Sequence, residues 1–199
     1  GLDHLRRDDF ASALVDLEAA ISLSAAIGGW FQANTRIVAA LAALSSDDPL
    51  GAGDWLAAIE VEDVIAPLLR AKYRVVEADL ALLRNAPQEA EHLAHLELQA
   101  TADVRAIIEV AMLIEVLSRT AMAQGDPIRA VVLGAMATGL RMDKGLTLGP
   151  TGHLLPFQHD LEVAKETLAT QQSKDAWRQG TTLGLDEPVA SVRRTRRPR

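Results

Sequence analysis

Apolar residues return at steps of three and four along nearly the whole of this 199-residue chain. No stretch sustains the apolar–polar alternation of a strand. That periodicity confines the chain to helices packed on helices. Leu2, Leu5, Phe10, Leu14, Leu17 and Ile21 open the pattern, with Asp9 placed to cap a helix from Phe10 and Gly28-Gly29 placed to stop it. A second helix is expected from Trp30-Phe31 through Ile37, Val38, Leu41 and Leu44. The segment 45–53, rich in Ser, Asp, Pro and Gly, reads as a loop, with a short helix from Asp54 to Ile59 after it. Val64 to Leu83 reads as one long helix with Pro67 in its first turn. Pro87 opens another, carrying Leu93, Leu96 and Leu98. Val104 to Met122 is apolar nearly all round, as befits a helix enclosed by neighbours.

The apolar fraction is 49% while aromatics make up 4%, so the core must be built from Ala, Leu, Val and Ile. Small side chains suit closely packed helices, and Ala and Leu are strong helix formers. The expectation is an all-α, antiparallel helix-pair superhelix of about 9–11 helices. The chain has no cysteine, which removes disulfides and thiolate metal sites and fits a reducing compartment, the cytoplasm. It has no apolar run of membrane-spanning length and no charged-then-apolar leader. It starts at Gly1 rather than Met, so it is expected to be a piece of a longer protein.

Charge is unevenly placed. The net charge is −7, yet Arg193, Arg194, Arg196, Arg197 and Arg199 crowd the last residues, which leaves the rest of the chain at −12. An acidic body repels nucleic acid. The tail 193–199 is expected to be a disordered terminus or linker, without a helix to read DNA.

A repeat underlies the pattern. Ala130 follows Gly125-Asp126-Pro127, and Ala90 follows Asn85-Ala86-Pro87, 40 residues earlier. Ala13 follows Asp8-Asp9-Phe10, close to three such periods before Ala130. In each case a polar turn precedes a small residue that would let two helices approach closely. The region near residue 50, where a further copy should fall, looks degenerate. A period near 40 exceeds the roughly 34 residues of a standard tetratricopeptide repeat.

The last third carries a resemblance. Ala130, Leu133, Gly134 and Ala135 are followed by a Gly/Pro loop with Pro150, then Ala176-Trp177 and Gly180, then Leu185, Glu187 and Val189. This order is similar to the C-terminal superhelical region of large LuxR-type regulators related to the maltose-regulon activator. The likeness is close over residues 125–189 and one of style upstream. Pro188 stands where Ala is usual in the closing helix, and Phe157 where Tyr is common. The resemblance implies a repeat domain over 1–180, a closing cap over 181–192 and a basic tail over 193–199. It implies a non-catalytic regulatory or scaffold module within an ATP-dependent bacterial transcriptional regulator, binding a protein partner or small effector. Two alternatives stand beside it. The same module could close a multidomain signalling enzyme such as a kinase or nucleotide cyclase, or the chain could be a free-standing helical ligand-binding protein.

Residues that could carry chemistry are few. Glu89-x-x-His92, with His95 on the same face, has the spacing of half a carboxylate-bridged di-iron site, but the chain has no second Glu-x-x-His. His153, and His159 beside Asp160, flank a loop without a nucleophile elbow. Gly145 to Gly149 lacks the lysine of a phosphate loop. No catalysis, metal or cofactor is expected. Candidate groove residues are the polar positions expected on inner helices: Arg70, Arg74, Glu77, Arg105, Glu109 and Arg119. Trp177 is expected to plug the end of the array, with Gly180 supplying a left-handed helix end.

Overall fold

The computed structural model describes residues 2–5, 7, 9–24, 28–60, 64, 66–143, 157–183 and 190. These residues form ten helices in chain order: α1 (Leu2–Leu5), α2 (Phe10–Ser24), α3 (Gly29–Ser45), α4 (Pro49–Ala57), α5 (Pro67–Leu83), α6 (Pro87–Asp103), α7 (Ile107–Ala123), α8 (Pro127–Asp143), α9 (Phe157–Thr167) and α10 (Thr170–Thr181). Among the described residues there is no strand. The all-α helix-pair repeat expected from the periodicity is the architecture formed. Helices α3/α4, α5/α6 and α7/α8 pack as consecutive pairs, and the first members α3, α5, α7 and α9 also touch in succession.

The turns explain the regularity. Helices α5 to α8 are each 17 residues long and start 20 residues apart. Asn85, Arg105 and Gly125 occupy the left-handed backbone region in the three turns between them, at φ 58°, 54° and 77°. Each turn closes with the same two bonds. After α5, for example, Asn85 N–H donates to the Leu82 carbonyl and Ala86 N–H to the Ala81 carbonyl, both at 2.9 Å. This is the Schellman closure, which satisfies helix-end carbonyls and reverses the chain in few residues. Asp47, at φ 60°, repeats it after α3.

The second member of each pair begins with a small buried alanine. Ala13, Ala52, Ala90 and Ala130 are all buried, each at the fourth position of its helix. Three of these helices carry an Asp cap. Asp9 accepts from Ser12 N–H at 3.2 Å, Asp48 from Gly51 N–H at 2.9 Å and Asp126 from Arg129 N–H at 3.0 Å. The copy near residue 50 is therefore present: Asp48-Pro49-Leu50-Gly51-Ala52 starts α4. The loop expected over 45–53 stops at Asp48, because a capped proline at the first position initiates a helix and outweighs the two glycines that follow.

Two other boundaries differ from expectation for the same kind of reason. α5 starts at Pro67 rather than Val64, since Ala66 is extended ahead of proline (ψ 133°). α7 starts at Ile107 rather than Val104, because Arg105 turns the chain. α7 is enclosed as expected, buried without interruption from Glu109 to Ser118.

The C-terminal end departs from the pairing. α9 lies on α7 and α8, while α10 packs far more extensively on α8 than on α9. Gly180 makes that approach possible. A Cβ there would meet the Val132 carbonyl oxygen well inside van der Waals contact and Ala135 Cβ at 2.6 Å. Gly180 is a residue of helix α10 and not the left-handed end expected from the sequence. Its value is its size. Most of the expected closing segment 181–192, the loop bearing Gly145, Gly149, Pro150 and His153, and the whole tail 193–199 lie outside the described residues.

Candidate functional site

Three polar arrangements stand out on this scaffold. The first spans the first members of the pairs. Arg119 on α7 reaches Asp79 on α5, and its Nε donates to Asp160 on α9 at 2.7 Å. The three positions lie 40 and 41 residues apart, so charge follows the helix-pair period. Asp79 is buried, and desolvation raises its carboxyl pKa against the pull of Arg119. Its Oδ2 has no hydrogen-bond partner among the described residues. A second row centres on Lys72 of α5, 3.5 Å from Asn34 Oδ1 on α3 and 3.8 Å from Glu109 on α7. Behind them, Arg141 on α8 donates to Glu115 on α7 through two bonds of 2.8 and 3.0 Å, both residues buried. Burial raises the Glu115 carboxyl pKa too.

The second arrangement joins α6 to α8. Glu91 accepts from Arg129 at 2.6 Å and from Gln124 at 2.9 Å. His95, then Gln124 and Arg129, hold its carboxyl far below the usual carboxylate range. His95 Nε2 stands 3.8 Å from Glu91, beyond hydrogen-bond distance, and is buried without a hydrogen-bond partner among the described residues.

The third is a crevice of about 430 Å³ between α9 and α10, lined by Lys165, Ser173, Lys174, Trp177, Arg178 and Thr181. Trp177 is half-buried against the core, and Lys165 Nζ sits 4.1 Å from its ring centroid.

The residues expected to line a groove fall into different places. Arg70, Arg74 and Glu77 share one half-buried stripe of α5 with Tyr73, at helical steps of three and four. Arg70 bonds Glu97 at 3.0 Å, and Arg74 bonds Glu77. Arg74 also lies over the Tyr73 ring, 5.8 Å from its centroid. Glu109 and Arg119 are buried in the ladders that tie helices together. Arg105 is an exposed turn residue, not an inner-helix position. The tight α6–α7 reversal recruits it, and only the tertiary chain path shows that.

Lys72, Asp79, Lys165 and Lys174 carry no motif in the sequence, and Asp160 stands there only as the neighbour of His159. A search for charges repeating at the 40-residue period would have found Asp79, Arg119 and Asp160. The α9–α10 crevice has no such signal, because α10 leaves the repeat. Glu89 is exposed and bonds Arg84 at 3.3 Å, and His92 is exposed. No group of three His, Cys, Asp or Glu side chains gathers as a metal donor set among the described residues. His159 is exposed, and its neighbour Asp160 is committed to Arg119. No helix among the described residues is long and apolar enough to cross a membrane. Comparison of the chain with protein-family models, with curated proteins and with solved structures found no match.

Proposed function

We propose that this chain is a non-catalytic regulatory module that binds a protein partner or small effector within a LuxR-type bacterial transcriptional regulator. The observation that carries the binding role is the half-buried stripe Arg70, Tyr73, Arg74 and Glu77, presented by a rigid helix in the middle of a helix-pair array. Such arrays are built to offer extended surfaces, since each pair contacts its neighbours and leaves one side open. The stripe combines a phenol, two guanidinium groups and a carboxylate, a mixture suited to a partner with both apolar and charged groups. The regulator context rests on the resemblance over residues 125–189. The acidic body, −12 outside the tail, favours a partner other than nucleic acid.

The test is transcription directed by the longer polypeptide that contains this chain. Tyr73→Ala with Arg74→Ala should abolish the response to effector while the unfolding midpoint of the isolated chain stays within a few degrees. A full response from the double variant would overturn the reading.

A further inference from the structure

We propose that the crevice between α9 and α10 docks an acidic peptide segment. The inference rests on the interaction-module reading but not on its transcriptional context. α10 packs on α8 through the contact at Gly180 far more than on α9, and among the described residues a gap is left between α9 and α10. Among the described residues, every ionisable group lining that gap is a cation: Lys165, Lys174 and Arg178. Their acidic companions stand outside the lining. Glu162 bonds Lys165 at 2.8 Å and Asp175 bonds Arg178 at 2.9 Å, both from exposed positions. In a body whose net charge is strongly negative, a gap lined among the described residues by three basic side chains, two of them shared with exposed carboxylates, presents local complementarity to further carboxylates.

Shape selects a peptide over a small anion. A small-molecule site encloses roughly 70–90% of its ligand, whereas this crevice covers one side of whatever enters it. Ser173, Lys174, Trp177, Arg178 and Thr181 recur along one stripe of α10. The stripe runs about 12 Å from Ser173 to Thr181 at ~1.5 Å per residue, room for an extended segment of about four residues. Trp177 offers apolar area at its middle, with Ser173 and Thr181 hydroxyls at the ends. A segment with carboxylates flanking one apolar side chain matches that order of groups.

The experiment uses the full 199-residue chain and a labelled peptide of about eight residues, Asp and Glu flanking one Leu, followed by fluorescence anisotropy. Saturable binding is expected, weakened at least tenfold by Lys174→Glu with Arg178→Glu, weakened less by Trp177→Phe, and falling with added salt. Lys174 and Arg178 are exposed, so the fold should survive the reversal, and an unchanged unfolding midpoint confirms it. Four results would overturn the proposal. They are no binding at millimolar peptide, unaltered affinity in the charge-reversed chain, loss with Arg74→Glu instead, and displacement of the peptide by inorganic phosphate or ATP at concentrations below those of the peptide. Displacement of that kind would assign the crevice to a small anion. Failure here, beside a lost effector response in the Tyr73/Arg74 variant, would leave the module reading standing and remove this crevice from it.

Discussion

Glycines inside the helices of this array do different jobs, and the space around each one separates them. At Gly139 a Cβ would meet nothing within 4 Å. At Gly134 it would meet Leu161 Cδ1 at 2.5 Å and Ser118 Oγ at 3.3 Å, the first being the movable end of a side chain. At Gly180 it would meet a backbone carbonyl that cannot step aside. Replacing an interior helical glycine by alanine gains roughly 0.5–1 kcal/mol, while forcing atoms into a packed contact costs about 1–3 kcal/mol. Gly139→Ala should therefore raise the urea midpoint, Gly134→Ala should leave it nearly unchanged, and Gly180→Ala should lower it by about 1–2 kcal/mol. A Gly180→Ala chain as stable as the parent would mean that α10 does not seat on α8 as described. Trp177, the more conspicuous residue, is partly buried and packs against the core beside the buried Ala176 and Gly180.

At the scale of the element, the reversals carry the regularity. Four turns share one hydrogen-bonding scheme, yet only one of their left-handed positions is glycine. Left-handed backbone costs an ordinary residue roughly 1–2 kcal/mol, with asparagine paying less than a long side chain. Arg105→Gly should stabilise the chain by about 1 kcal/mol, and Gly125→Ala should destabilise it by a similar amount. Thermal unfolding of the two variants checks both. Opposite shifts are expected, and shifts of the same sign would contradict the turn geometry. The helix starts are legible from sequence through Asp-Pro-x-x-Ala and its variants once the turns are placed. The copy at Asp48 escaped notice because Gly51 and Gly53 mask a capped proline start.

Across the whole molecule, buried charge ties the pairs together. Arg119 contacts carboxylates from two other helices, and its side chain is 10% exposed. Removing one member of a buried ion network typically costs about 3–5 kcal/mol because the remaining charge is stranded. Arg119→Ala should fall at the low end, near 3 kcal/mol, because Asp79 already tends toward protonation and would take up a proton. An unchanged urea midpoint would show that α5, α7 and α9 hold without the ladder. The pH response has two opposite parts. Glu91 has a folded pKa below its ordinary 4.5, so its stabilisation is present above pH 4.5 and drains as pH falls. Asp79 and Glu115 have raised folded values, so their protonated forms favour folding and that advantage is lost as pH rises through those values. Glu91→Gln should be clearly less stable than the parent at pH 7, and the gap should narrow without closing at pH 3, because the folded carboxyl titrates well below that pH, as unfolding at the two pH values will show. A gap that stays constant would refute the assignment. The tail has its own test. Any DNA affinity should be nonspecific, steeply salt-sensitive and lost in a chain ending at Val192, since at most five phosphate contacts are available. Sequence-selective binding by both chains would contradict this.

The sequence by itself determined the fold class, because a three- and four-residue apolar period admits one kind of packing and an Ala-rich composition sets how close the helices come. It also determined the helix-pair period, through Ala13, Ala90 and Ala130, since a small residue is needed wherever a second helix starts against the first. Only the tertiary structure decided which polar residues are available for binding. Arg119 and Glu109 look like groove residues in a helical wheel, but neighbouring helices supply Asp79, Asp160 and Lys72 and draw them into the interior. Only the tertiary structure opened the crevice at Trp177, because a local pattern in α10 cannot show that the helix leaves its partner α9 to pack on α8. Periodicity reports which face of a helix is buried. What that face meets depends on residues about forty positions away, and that pairing is set by the path of the chain through the turns.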